Sequence, residues 1–195
     1  MSGEKRILQL LLDAVAGGVF PGAVLLVARQ KKTLFCEAVG NGAVLPAPRL
    51  MTSQTRFDLA SLTKPLATAL SVLCLVSQEK LQLDDSLAKL LPSTSVPQDK
   101  KEITLRQLLC HCSGLPAWKP YYLSLQTLPL KDRTASLRQM IVQEPLDSSP
   151  GTTTTYSDLG FLVIEWILEQ ISGQNLHHFT RENLFGPLGC ATPAF

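Results

Sequence analysis

The order of apolar and polar residues divides the chain into a short beginning that contains strands and a long helical remainder. Residues 4–18 form an amphipathic helical stretch that ends at two glycines. Residues 23–29 and 33–39 are apolar and partly β-branched, and the polar turn between them predicts a β-hairpin. Residues 40–48 are rich in glycine and proline, which predicts a loop.

After the hairpin, the apolar positions recur at helical spacing, and no later segment has the pattern of a strand. A lone two-stranded hairpin is marginal in water, so the sheet that it belongs to is predicted to be incomplete. We therefore predict an α/β (α+β) fold class. Residues 1–57 supply a helix and the β-hairpin of an antiparallel sheet, and residues 58–195 are mainly helical. The predicted helices cover residues 61–78, 81–91, 105–112, 131–143, 159–171 and 175–184.

The first of these helices carries the strongest candidate chemistry. It is apolar almost all round, which predicts burial on every side. Pro65 fits only a first turn, so the helix begins near Ser61, and Lys64 lies one turn later on the same face. A serine beside an amine is what an acyl-transfer site needs. The alternative is that Ser61 caps the helix and Lys64 reaches into solvent. Ser-x-x-Lys occurs four times in the chain, so the spacing alone does not decide.

A second candidate element is the loop PGTTTTYSD, which places Tyr156 and Asp158 just before an apolar helix. In the structural interpretation, Asp158 is the N-cap of that helix and Tyr156 packs against it. In the functional interpretation, the loop folds over Ser61 and the tyrosine hydroxyl relays a proton beside the lysine. The local pattern is compatible with both.

Composition narrows the function classes. The chain has 195 residues, of which 45% are hydrophobic and 17% charged, with a net charge of +2. This is a globular composition with scattered basic residues, so we expect no nucleic-acid partner. No apolar run resembles a secretory signal or a membrane span, so we expect a cytoplasmic protein that does not engage a membrane.

The five cysteines are predicted to be reduced thiols, because their number is odd and no secretory signal precedes them. Cys110-His111-Cys112 raises the alternative of a zinc site. It lacks a second ligand pair at zinc-like spacing, so we predict that the chain binds no metal and no other cofactor.

Four segments in order resemble the serine β-lactamase-related family, in the branch of class C β-lactamases, D-alanyl-D-alanine peptidases and related esterases. They are residues 57–64 (FDLASLTK), 81–85 (LQLDD), 103–116 (ITLRQLLCHCSGLP) and 150–161 (PGTTTTYSDLGF), and together they span most of the chain. The resemblance implies an α/β domain with an antiparallel sheet, a helical domain and a cleft between them. It also implies that Ser61 is the acylated serine, that Lys64 helps to deprotonate it, and that Tyr156 is the motif tyrosine.

Two departures from the family pattern affect these expectations. Asp158, the predicted substrate-binding residue, stands where the motif most often has asparagine. A carboxylate there favours the charged form of Lys64 and shifts the role of base toward Tyr156. The third family motif, a Lys/His-Thr/Ser-Gly tripeptide, does not occur in the sequence. The chain therefore resembles the N-terminal portion of such an enzyme.

The sequence thus predicts a serine hydrolase that acts through an acyl-enzyme on β-lactams, D-amino-acid peptides or small carboxylic esters, with activity impaired by truncation. The alternative is a non-catalytic fragment or pseudoenzyme that serves as a binding or assembly module. In that case the unpaired edge of the sheet suggests self-association.

Overall fold

A computed structural model describes residues 3–190, which fold as two units that divide between Asp58 and Leu59. The first unit holds a helix and a small sheet. Its elements are α1 (Gly3–Ala16), β1 (Gly22–Arg29), β2 (Lys32–Ala43) and β3 (Arg49–Leu50). The strands form an antiparallel sheet in the order β1-β2-β3.

The predicted hairpin is confirmed, and its two turn residues explain its register. Gln30 and Lys31 have φ angles of 49° and 67°. Two left-handed residues in a row form the tight turn whose twist matches that of paired strands, so Arg29 pairs with Lys32. Within residues 3–190, no strand pairs with the other edge of β1.

The predicted loop over residues 40–48 is wrong in its first half, because β2 continues to Ala43 and then pairs with β3. Its glycines serve close backbone approach. Gly40 has a φ of 72°, and a Cβ atom there would lie 2.3 Å from the carbonyl oxygen of Pro21. Glycine in this stretch is therefore required by packing inside a strand.

The second unit is helical and opens with the central helix, which runs from Ala60 to Ser77. It starts as a 3₁₀ turn (Ala60–Leu62), continues as a π-helical turn (Lys64–Ala69) and ends as α2 (Leu70–Ser77). The other elements are α3 (Leu87–Leu90), a 3₁₀ turn (Gln98–Lys100), α4 (Leu105–Leu109), α5 (Tyr122–Leu125), α6 (Leu130–Gln143), α7 (Asp158–Ser172), α8 (Leu176–Thr180) and a π-helical turn (Arg181–Phe185).

The core of this unit forms around α7, whose apolar face packs against α4 and α6. Leu108, Ile164 and Ile167 are fully buried there. Thr104 caps α4 in a capping box with Gln107, as its position in the sequence predicts. The fold class inferred from the sequence is confirmed, and α6 and α7 lie within one residue of their predicted bounds.

Two local predictions are wrong. The helix predicted over residues 81–91 is reduced to the four residues of α3. The N-cap of α7 is Ser157, whose hydroxyl accepts a hydrogen bond from the amide of Gly160 at 3.1 Å. Asp158 is the first residue inside the helix, so its carboxylate is free to point elsewhere.

The central helix is buried on one face only, contrary to the sequence prediction. Ala67, Val72 and Leu75 are fully buried. On the opposite side, four leucines at helical spacing remain 41–56% exposed: Leu62, Leu66, Leu70 and Leu73. We call these four residues the leucine face. Apolar composition predicts helix formation, but it cannot show which side has a partner.

By length and composition, the 18 residues from Ala60 to Ser77 are apolar enough to cross a membrane, with a mean hydropathy of 1.4. The expectation that no run reaches this length is therefore wrong. Core helices of globular proteins meet the same criteria, so this finding alone assigns no membrane role.

Candidate functional site

The backbone around Ser61 is unusual in two ways. Ala60, just before it, has a φ of 43°, a left-handed conformation that residues with a Cβ rarely adopt. Pro65 follows four residues after Ser61, and in a regular α-helix its ring would clash with the Ser61 carbonyl. In the structure Pro65 lies in the first turn of a wider π-helical segment, Lys64–Ala69. Such turns are frequent at functional sites.

A second element, the segment 111–117, holds the loop that carries Tyr156. The amides of Asp147, Gly151, Thr155 and Asp158 donate to the carbonyls of Gly114, Cys112, His111 and Ala117, at 2.9, 2.7, 2.8 and 2.8 Å respectively. The Ser157 hydroxyl adds a bond to the carbonyl of Pro116 at 2.7 Å. Because most of these groups belong to the backbone, the loop is fixed along its length.

These elements bring all four predicted site residues together. The Lys64 ammonium lies 2.7 Å from a carboxylate oxygen of Asp158 and donates to Ser61 Oγ at 3.3 Å. The Tyr156 hydroxyl is hydrogen-bonded to both Ser61 and Lys64. The ammonium thus has three polar neighbours. The alternative in which Ser61 caps the helix and Lys64 reaches into solvent does not describe this arrangement, because Ser61 caps no helix and the Lys64 side chain is only 15% exposed.

The charges of these groups depend on one another. Burial alone would lower the pKa of Lys64. The hydrogen bonds to Asp158 and Tyr156, with their charges, outweigh burial and hold the pKa above its ordinary 10.5. The pKa of Tyr156 is lowered from 10.0, first by the hydrogen bond from Ser61 and then by Lys64. The site therefore favours an ammonium at Lys64 and eases deprotonation of Tyr156.

Two further residues complete the site, and the sequence analysis did not identify either of them. The ring of His111 lies 4.5 Å from that of Tyr156 and 5.1 Å from that of Phe161. The Lys64 ammonium lies 5.1 and 5.7 Å from the centroids of the Tyr156 and Phe161 rings, within range of a cation–π interaction. The segment 103–116 contains the signal for His111, but the cysteines on either side of it indicate a metal ligand instead.

Ser61 and Lys64 lie where two clefts of the helical unit meet. The first has a volume of about 780 Å³ and is mostly apolar, with Leu73, Leu109 and Phe161 among its lining residues. The second has a volume of about 590 Å³ and is lined by aromatic side chains, including Trp118 and Tyr122, and by the carboxylates of Asp158 and Glu165. A substrate bound at Ser61 can extend into either cleft.

Asp158 is expected to control the protonation of Lys64. In an Asp158→Asn variant the pKa of Lys64 should fall, because its nearest anion is gone while its burial remains. In the wild type, the Lys64 ion pair stabilises the fold below pH 10.5, and this contribution is lost as the pH rises through the raised pKa. The stability gap between wild type and variant should therefore narrow above pH 10.5. The pKa of Lys64 is measured by NMR titration of the lysine Cε signals. The difference in free energy of unfolding is measured by unfolding both proteins at each pH.

A matched control is Asp84→Asn, which removes an exposed carboxylate paired with Arg106 at 2.8 Å and makes no contact with Lys64. The control should leave the pKa of Lys64 unchanged. An equal pKa of Lys64 in the wild type and in both variants would contradict the ion pair seen here.

Comparison with known proteins places this geometry in a family. A family model described as Beta-lactamase matches residues 8–195. A predicted D-alanyl-D-alanine carboxypeptidase of Escherichia coli O157:H7 is 33% identical over 90% of this chain, and an N-acetylmuramyl-L-alanine amidase of Bacillus subtilis is 32% identical over 94%. Among solved structures, EstCE1, a hydrolase with promiscuous acyltransferase activity, is 29% identical over 95% of the chain, with a TM-score of 0.77.

The similarity covers only part of each relative. The chain spans 43% and 44% of the two curated relatives and 51% of EstCE1. The relatives are thus about twice as long as the region they share with this chain.

Proposed function

Because this chain belongs to the Beta-lactamase family, we propose that it is a serine hydrolase in which Ser61 attacks a carbonyl group and forms an acyl-enzyme. The observation that carries the proposal is the meeting of three groups. The Ser61 hydroxyl is bonded to the Tyr156 hydroxyl, and Lys64 donates to both. A nucleophile within hydrogen-bond reach of an activated base is the signature of covalent catalysis.

The protonation states suggest the order of proton transfers. In the reactive form Tyr156 is deprotonated beside the Lys64 ammonium, and it takes the proton of Ser61 as Oγ bonds to the substrate carbonyl carbon. When the tetrahedral intermediate collapses, the same proton passes from Tyr156 to the leaving group. Water then attacks the ester on Ser61, giving a proton to Tyr156 and releasing the acid, and Ser61 Oγ recovers that proton. Lys64 remains charged throughout and stabilises the phenolate.

The substrates that fit this chemistry are amides and esters of small acyl groups, among them β-lactams and D-amino-acid peptides. Two clefts that meet at Ser61 supply separate space for the acyl part and the leaving group. Asp158, held by Lys64, can only accept hydrogen bonds when it is ionised, so it would receive an N–H or O–H of the substrate. The predicted cytoplasmic location, and the expectation of no nucleic-acid or membrane partner, stay predictions.

We further propose that this sequence is the N-terminal part of a longer enzyme and that its hydrolase activity is impaired when it is alone. Three observations support it: the relatives are about twice as long as the shared region, the leucine face is exposed, and the third family motif does not occur in the sequence. In the family, that motif supplies one of the two N–H donors to the oxyanion of the tetrahedral intermediate. Loss of one such donor typically slows acyl transfer by about 100- to 1,000-fold.

The test is the intact mass of the protein after incubation with a fluorophosphonate probe. We expect a single adduct that is abolished in Ser61→Ala. Ser77→Ala is the matched control, since Ser77 precedes Lys80 with the same spacing but its hydroxyl donates to the Cys74 carbonyl. That control should label like the wild type. A folded wild-type protein that forms no adduct, or an adduct that persists in Ser61→Ala, would reject the proposal.

A second candidate function is a non-catalytic binding or assembly module. The leucine face and the unpaired edge of β1 favour it, because both surfaces could accept another chain. Absence of labelling, combined with self-association in sedimentation experiments, would support this candidate.

A further inference from the structure

The residue that the proposed chemistry leaves without a role is His111. Its ring lies in the site, lining the apolar cleft together with Ser61, Lys64 and Tyr156. It stacks at a tilt of 34° on the ring of Tyr156. Among residues 3–190 the ring is hydrogen-bonded to the amide of Ser157 and not to Ser61, so any function must act through its neighbours.

His111 holds the chain on both sides of Tyr156. Its carbonyl oxygen accepts the amide of Thr155 at 2.8 Å, and its ring nitrogen Nδ1 accepts the amide of Ser157 at 3.0 Å. Tyr156 is the single residue between these two amides. One histidine therefore fixes the backbone before and after the tyrosine whose hydroxyl meets Ser61.

The bond to Ser157 also determines the state of the ring. A backbone N–H can only donate, so Nδ1 must carry a lone pair. The neutral ring then has its proton on Nε2. An imidazolium carries protons on both nitrogens and cannot accept this bond, so protonation breaks one side of the clamp.

The surrounding charges oppose protonation. Burial, followed by the Lys64 ammonium on the central helix, lowers the pKa of His111 below its ordinary 6.5, while Asp158 on α7 opposes that shift. The other groups that face the ring are the Tyr156 hydroxyl from the loop and the uncharged Phe161 from α7. Cys110 and Cys112 flank it on its own segment. The neutral ring is thus the form present at neutral pH.

We infer that neutral His111 is a positioning residue, which clamps Tyr156 beside Ser61 through Nδ1 and its carbonyl oxygen and releases one side of that clamp when the ring is protonated. The inference rests on the proposed function. It predicts an acid limit for that function, which is the pH below which acylation of Ser61 is slowed. Acylation of Ser61 should be lost as the pH falls through the pKa of His111, which lies below 6.5. Above that pH the clamp is closed.

The backbone at His111 suggests informative variants. Its φ is 57°, a left-handed conformation that asparagine and glycine adopt readily. His111→Asn retains an acceptor oxygen near the position of Nδ1 but cannot be protonated. His111→Gly accepts the same backbone without any acceptor. The two variants therefore separate the hydrogen bond from the backbone conformation. His178→Asn is the control for removal of a histidine outside the site. His178 lies on α8 and is hydrogen-bonded to Asn175.

The first measurement is NMR of the wild-type imidazole and of the Ser157 amide as a function of pH. We expect the tautomer with the proton on Nε2, and a common midpoint below 6.5 for the ring and the amide. The second is the rate of fluorophosphonate labelling over the same range. Below pH 6.5, wild type and His178→Asn should lose labelling more steeply than protonation of Tyr156 alone predicts, with this midpoint, whereas His111→Asn should show only the decline that follows from Tyr156. His111→Gly should be slower than His111→Asn by about 100-fold at every pH, the cost of a misplacement of about 1 Å.

A proton on Nδ1, a Ser157 amide that ignores the titration of the ring, or an unchanged acid limit in His111→Asn would each overturn the inference. If the wild type is not labelled at any pH, the proposed function fails instead. The clamp is then tested by the NMR signal of the Ser157 amide alone. This signal must follow the ring titration in the wild type and show no such midpoint in His111→Asn.

Discussion

Tyr156→Phe should slow acylation of Ser61 by about 100- to 10,000-fold, the range that a positioned general base contributes. The variant removes only the hydroxyl, which is bonded to Ser61 and Lys64, and it keeps the ring that stacks on His111. Since Ser61 and Lys64 lower the pKa of Tyr156 below 10.0, the wild-type rate should rise with pH up to a midpoint below 10.0. The variant should lack this rise. The measurement is the second-order rate constant of fluorophosphonate labelling between pH 7 and pH 10.

The control for this experiment is the stability of the variant, which should change little because the Tyr156 side chain is 53% exposed. A rate within about threefold of wild type, in a protein of unchanged stability, would contradict the role of Tyr156 as the base. Lys64 would then be the remaining candidate, and its raised pKa would require another explanation.

Gly114→Ala should lower the free energy of unfolding of the helical unit by more than about 4 kcal/mol, an exceptionally large effect for one methyl group. Gly114 has a φ of 81°, and a Cβ atom there would lie 2.1 Å from the carbonyl oxygen of Ser148. The backbone on both sides of the clash is hydrogen-bonded, since the amide of Asp147 donates to the carbonyl of Gly114 and the amide of Gly151 to that of Cys112, so the loop before Tyr156 must move away. Labelling of Ser61 should therefore fall together with stability.

Gly173→Ala is the matched control, since this glycine ends α7 with a φ of 71° and has open space around it. It should cost only the strain of a left-handed residue, about 1–2 kcal/mol. Trp118 and Trp166 both lie in the helical unit, so urea unfolding followed by their fluorescence reports on it. Equal losses in the two variants would show that the clash with Ser148 is relieved at little cost.

The fold was predictable where an element depends only on residues that are close together in the sequence. The hairpin follows from two apolar runs around a polar turn, and the cap of α4 follows from Thr104 and Gln107. Other features depend on contacts that are distant in the sequence. Residues 40–43 continue β2 because Gly40 lets the backbone approach Pro21 closely. The exposure of Leu66 depends on what covers the helix, which its own sequence does not contain.

The candidate site was predictable in its residue types, but its organisation was not. Ser61 and Lys64 are three residues apart, so a helical turn is enough to join them. Their contact with Tyr156 and Asp158 depends on the loop being held by the segment 111–117. Local pattern indicates only a metal-ligand interpretation for His111, because its partner Ser157 lies 46 residues away and no local pattern connects them.

The way this loop is held has a consequence for how the protein can change. Most of the bonds between residues 147–158 and the segment 111–117 use backbone atoms, which every amino acid except proline can supply. Side chains such as those of Thr153 and Thr154 can therefore vary without displacing Tyr156. The position of Tyr156 beside Ser61 is thereby uncoupled from the identity of the exposed side chains on this loop. Substitutions at those positions, introduced singly or as libraries, are expected to leave the geometry around Ser61 unchanged.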